Sequence, residues 1–143
     1  MRQILIKYFV DDLPELTYVD GKSDWIDLYI AEDTELKAGE FKLIPLGVAM
    51  QLPNNYEAIV APRSSTFKKY GILQANSLGI IDNTYSGPND QWMFPAYATR
   101  DVKVNKGDRL CQFRILRNQP KIVFTKSDLE HNVNRDGFGS TGN

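Results

Sequence analysis

The chain has one cysteine, one histidine and no block of lysines or arginines, and each scarcity excludes something. A lone Cys111 rules out an intramolecular disulfide framework and fits a reducing compartment. A lone His131, set in a polar run, makes any His-based triad depend on that one residue, and a solvated loop is its ordinary setting. With net charge −1 and 24% charged residues but no basic cluster, a phosphate-tracking nucleic-acid surface is not expected. Long hydrophobic runs are missing too. Residues 1–10 alternate polar and apolar with Lys7 among them, which suits neither a signal peptide nor a spanning helix. A soluble cytoplasmic protein is expected, with no membrane and no nucleic acid among its partners.

Repeats and internal linkers are absent as well, and 143 residues make one domain that can bury a core without staples. What the chain does have is many short apolar runs. They fall at residues 4–9, 25–30, 41–46, 48–52, 56–61, 72–74, 92–98, 110–116 and 122–124, separated by Gly, Pro and Asn turns. That spacing predicts an all-β sandwich or jelly roll. The only helix signal covers residues 64–70. It opens with two serines as caps, carries Lys68 and Lys69 late, and stops at Gly71. Residues 1–129 are expected to form the domain, and the polar, glycine-rich residues 130–143 a mobile C-terminal tail.

Five stretches carry chemistry. Gly79-Ile80-Ile81-Asp82 reads as a buried strand, and residues 83–88 as the loop of a hairpin. Asp82 then stands half desolvated at the strand's tip, where its proton affinity would rise toward that of a general base, or where it simply caps a turn. Pro62-Arg63-Ser64-Ser65 places amides, two hydroxyls and a guanidinium at a helix start, as an anion site or a plain cap. Asp27 is a solvent-facing carboxylate or an outer-shell magnesium ligand. Gln112, in Gly107-Asp108-Arg109-Leu110-Cys111-Gln112, reaches a phosphate or a neighbouring strand. In the tail, Arg135 offers bidentate contacts to a phosphate, Phe138 a flat face to a base, and Gly139-Ser140-Thr141-Gly142 a row of amides. A tail of this kind is a frayed end or a lid.

In this order the five stretches resemble the five motifs of the homotrimeric dUTPases, and the Asn89-Asp90-Gln91-Trp92-Met93-Phe94 segment is similar to their phage and bacterial branch. The resemblance runs from about Trp25 to the end of the chain. It implies a jelly roll with one short helix, assembled as a trimer whose sites draw on several subunits. It implies that Asp82 activates the water that attacks the α-phosphorus of dUTP, releasing pyrophosphate and leaving dUMP. Asn76, with the main chain of Gly79, Ile80 and Ile81, would read the uracil edge, and Tyr85 would pack on the deoxyribose. Arg63, Ser64, Ser65 and Gln112 would contact phosphates, and Asp27 would hold one Mg²⁺ through water. Arg135, Gly139, Ser140 and Thr141 would bind the γ-phosphate while Phe138 stacks on the base.

The chain departs from that pattern in places. Val133 stands where relatives carry the tail arginine, Arg135 lies nearer the lid phenylalanine, Thr84 replaces an acidic residue, and Trp25-Ile26 replaces small residues. Trp92 and Phe94 are expected in the core or at a subunit contact. Two other functions share the pattern: a dCTP deaminase-like relative, and a trimeric regulator whose dUTP-closed tail signals to a protein partner.

Overall fold

The computed structural model of the protein describes residues 2–139. Its elements, in chain order, are β1 (Leu5–Tyr8), β2 (Ile26–Leu28), β3 (Thr34–Leu36), β4 (Phe41–Pro45), β5 (Val48–Gln51), β6 (Tyr56–Pro62), α1 (Thr66–Tyr70), β7 (Ile72–Gln74), β8 (Gly79–Ile81), β9 (Met93–Ala98), β10 (Val102–Val104) and β11 (Cys111–Arg117). All pairings are antiparallel. Two ribbons, β1-β5 and β3-β10, accompany a four-stranded sheet of order β2-β11-β6-β8 and a three-stranded sheet of order β4-β9-β7. The all-β jelly roll with one short helix is therefore formed.

Alternation along the strands builds the core. On β9, Phe94, Ala96 and Ala98 point inward, while Met93, Pro95 and Tyr97 point outward. Trp92 and Phe94 are fully buried, as expected of core residues, and the Trp92 ring meets Phe113 edge-on at 5.3 Å. Ile44, Ile72, Leu28, Leu36, Val104 and Met50 add residues from every sheet to the same cluster.

The helix shows how local sequence sets the site. Ser65 occupies the cap position but its hydroxyl makes no capping bond. The helix start is held instead by the buried Thr66 hydroxyl, which donates to the Leu110 carbonyl at 2.6 Å, and by the Arg63 amide, which donates to the same oxygen at 3.1 Å. Gly71, at φ 67°, closes the helix in the left-handed conformation that glycine adopts without strain.

Four expectations fail. Residues 122–124 form no strand, and residues 118–139 are exposed throughout without helix or strand. Among the described residues their apolar side chains have no partner strand. β3 and β10, short strands that pair with one another, were not expected. β8 is only partly buried: Gly79 and Ile81 face the core, whereas Ile80, between them, points outward and is 59% exposed. Residues 83–88 are not a hairpin loop, since β8 and β9 belong to different sheets.

Candidate active site

Antiparallel registry across β2, β11 and β6 sets Asp27 opposite Gln112 and Gln112 opposite Ala61, a row across three strands that ends one residue from Pro62 and two from Arg63. Asp27 is not the solvent-facing residue that was one of its two readings. Its side chain is 14% exposed; its Oδ1 forms an ion pair with Arg63 Nε at 3.1 Å, and its Oδ2 accepts from Arg109 Nη1 at 3.2 Å. One carboxylate between two guanidinium groups leaves a local charge of +1, which favours an anion. Gln112 Nε2 donates to the Pro62 carbonyl at 3.2 Å, the neighbouring-strand contact that was its second reading. Ser64 and Ser65 are exposed beside this group. Cys111 is fully buried, and burial, with the Asp27 charge adding to it, pushes its thiol well above the usual range, which leaves it no nucleophilic role.

Among the described residues, no group of three Asp, Glu, His or Cys side chains is placed to hold a metal ion. Asp27 is the only acid in the row, and its carboxylate keeps lone pairs beyond the two guanidinium contacts. Such a donor set fits an Mg²⁺ ion only through its waters.

The residues expected to meet the nucleoside lie on β8 and on either side of it. Its outer edge leaves backbone groups unpaired within the sheet, a surface suited to reading a base edge. Asn76 precedes it in a tight turn, with Ser77 at φ 62°. Asp82 follows it, and of its two readings the turn cap is the one formed. Asp82 is exposed, its Oδ1 accepts the Thr84 amide at 2.8 Å, and that bond holds its carboxyl below the ordinary carboxylate value. The turn-capping geometry is formed, and the half-desolvated carboxyl with raised proton affinity is not. Tyr85 is fixed by its hydroxyl, which donates to the Gln91 carbonyl at 3.0 Å, and by its amide, which donates to the Asp82 carbonyl.

The two groups stand apart. β2 and β8 are opposite edges of one sheet, three strand spacings from each other, and Asp82 lies about four rungs along from the row of Asp27. With strands about 4.8 Å apart and about 3.4 Å per residue, Asp27 and Asp82 are separated by roughly 20 Å. A triphosphate cannot bridge that gap within one chain. The tail is separate again. Arg135 and Phe138 are exposed, Phe138 adopts φ 49° and Gly139 φ 83°, and Ser140 and Thr141 lie outside the described residues.

Two residues of the site escaped sequence reasoning. Arg109 was quoted in its motif but not singled out, although a basic residue three before Gln112 was a signal. Gln74 looked like an ordinary strand residue, yet it is 6% exposed and hydrogen-bonded to Asn76.

A family model described as dUTPase matches residues 21–142. The chain is 53% identical over 140 residues to the SPbeta prophage-derived deoxyuridine 5'-triphosphate nucleotidohydrolase of Bacillus subtilis (strain 168), covering 98% of both chains. Among solved structures it resembles a mutant dUTPase of Staphylococcus bacteriophage 80alpha with dUpNHpp, at TM-score 0.80 and 18% identity over 99% of each chain. It also resembles a mutant dUTPase from phage phi11 of S. aureus, described as coordinating a structural Mg(II) ion, at TM-score 0.76 and 16% identity over 90% of this chain and 99% of that one. At such identities the structural likeness speaks for the fold alone.

Proposed function

The chain belongs to the dUTPase family, and from that premise we propose that it hydrolyses dUTP to dUMP and pyrophosphate in sites shared between the copies of a homotrimer. The observation that carries this reading is the split of the site across one sheet, with the phosphate-directed row at β2 and the nucleoside-directed turn at the far edge of β8. A second copy that brings its β8 edge to the first copy's row unites them. Two surfaces support such an assembly: the outward face of β4-β9-β7, which exposes Phe41, Leu43, Leu73, Met93 and Tyr97, and the apolar Ile122, Val123 and Phe124 after the last strand.

In this reading Asp82 takes a proton from a water molecule as the water oxygen attacks the α-phosphorus. The bond from that phosphorus to the α–β bridging oxygen breaks, and pyrophosphate leaves. With a carboxyl of lowered proton affinity, Asp82 acts by position, already ionised and aimed by the Thr84 amide. Tyr85 packs on the sugar, Asn76 and the β8 backbone meet the base, and Arg63, Ser64, Ser65 and Gln112 hold phosphate oxygens, with Arg109 and Asp27 behind Arg63. Mg²⁺, bound by the phosphates and by Asp27 through water, would neutralise charge spreading over the triphosphate. Arg135, Gly139, Ser140 and Thr141 of the tail bind the γ-phosphate, and Phe138 covers the base.

A panel of dUTP, UTP, dTTP and dCTP, assayed for pyrophosphate release with and without Mg²⁺, tests the proposal. Release from dUTP alone, enhanced by Mg²⁺, is the expected result. An untouched dUTP, or ammonia released from dCTP, overturns it.

A further inference from the structure

Gln74 has no role in the reading above, yet its surroundings leave it a single arrangement. It is 6% exposed on β7, and its Nε2 donates both to the Val60 carbonyl at 2.9 Å and to Asn76 Oδ1 at 3.0 Å. Val60 offers only an acceptor there, so the face of Gln74 turned to it must be the NH₂ group. The second hydrogen of that NH₂ then demands an acceptor from Asn76, which fixes the Asn76 amide with its oxygen inward. Gln74 Oε1 is left buried with no partner, a cost tolerated for this arrangement. The Asn76 Nδ2 group is consequently turned outward over β8. A Cβ placed on Gly79 would stand 3.5 Å from it, an ordinary van der Waals distance, so the amide lies close beside the start of the strand.

We propose that Gln74 is a specificity-determining positioning residue: by locking the Asn76 amide, it presents a hydrogen-bond donor to the 4-position of the pyrimidine. Uracil carries an oxygen there and is matched. Cytosine carries an amino group, so two donors face each other and neither is satisfied. The Val60 carbonyl thus passes a fixed polarity through two side-chain amides to the base. The inference rests on the proposed dUTP site, and it deepens that site without adding a contact to substrate.

Gln74→Met keeps the length of the side chain and removes both donors, which frees the Asn76 amide to turn over. The ratio of kcat/KM for dUTP to that for dCTP should fall by at least about tenfold, the scale of losing one matched polar contact. The ratio of dUMP to dCMP affinity, read by calorimetry, should fall in parallel without any turnover. Gln74→Glu is the second variant. Buried, its carboxyl is held neutral, and the hydroxyl standing where Nε2 stood spends its single hydrogen on the Val60 carbonyl, so that the same oxygen can only accept from Asn76 Nδ2. That reverses the amide and should move both ratios further toward cytosine. A purely structural Gln74 would lower stability and weaken both nucleotides alike, so unchanged ratios in either folded variant overturn the proposal alone. A wild-type protein that does not prefer dUTP to dCTP overturns the proposed substrate, and this proposal with it.

Discussion

At the residue scale, the proposed base Asp82 sits in a turn that lowers its carboxyl's proton affinity. The Thr84 amide donates to its carboxylate in a two-residue turn, first among the causes that hold the carboxyl below its ordinary value of 3.8. A group whose folded value is depressed favours the native state above its unfolded value, and that contribution is lost as pH falls through the lower folded one. Asp12, held down chiefly by its hydrogen bond to Lys106, behaves the same way. A carbon-detected NMR titration of the Asp82 carboxyl in the free protein should therefore give a midpoint below 3.8. A midpoint above it would mean that the turn opens in solution. Asp82→Asn keeps the turn's acceptor and removes the base, so dUTP turnover should drop by about 10²- to 10⁴-fold. Binding of a non-hydrolysable dUTP analogue, followed by calorimetry, should change little. Full turnover in the variant would place the base elsewhere.

At the element scale, punctuation decided what the sequence disclosed. β7 lies where Gly71 and the following turn bracket Ile72 to Gln74, and α1 stops at the same glycine. That glycine is demanding. At φ 67° any side chain is strained, and a Cβ would stand 2.6 Å from Arg100 Nε, whose guanidinium donates to the Lys69 carbonyl at the helix end. Gly71→Ala should lower unfolding free energy by about 1–3 kcal/mol in urea titrations. An unchanged midpoint would show that the helix end rearranges freely. β3 and β10 were illegible because each has three residues and one fully buried side chain, Leu36 or Val104, which is too little for a period to register. The strand expected at 122–124 failed for the opposite reason: the apolar residues are there, but none of the described residues pairs with them as a strand. The site divided likewise. Its motifs could be read by residue type and order, whereas the Asp27 contact with Arg109 joins residues 82 positions apart and the Asn76 amide is oriented from a buried neighbour, facts that only packing supplies.

At the scale of the whole molecule, the proposed site needs more than one chain. On the three-stranded sheet, Phe41, Tyr97 and Leu73 form an outward row, with Leu43 opposite Pro95 beside it. A face this apolar on a monomer marks an interface. Leu43 is 56% exposed, so Leu43→Asp should cost an isolated chain within about 0.5 kcal/mol. In a trimer sealed by that face it should release single chains in light scattering, still folded by circular dichroism but inactive. A full-mass trimer would assign the interface to another surface. The sharper test needs no disruption. Asp82→Asn spoils the nucleoside-directed end of the site and Arg63→Gln the phosphate-directed end, so each homotrimer should be inactive. If one chain supplies Asp82 and a neighbour supplies Arg63, unfolding and refolding the two variants together at equal amounts creates intact pairings. A site is restored when its Asp82 comes from the Arg63 variant and its Arg63 from the Asp82 variant, each with an even chance, so about one quarter of wild-type activity should return in a closed ring of three. If both residues served the same site within one chain, no mixture would recover any activity, and the roughly 20 Å between Asp27 and Asp82 would have to close by a rearrangement of the sheet itself.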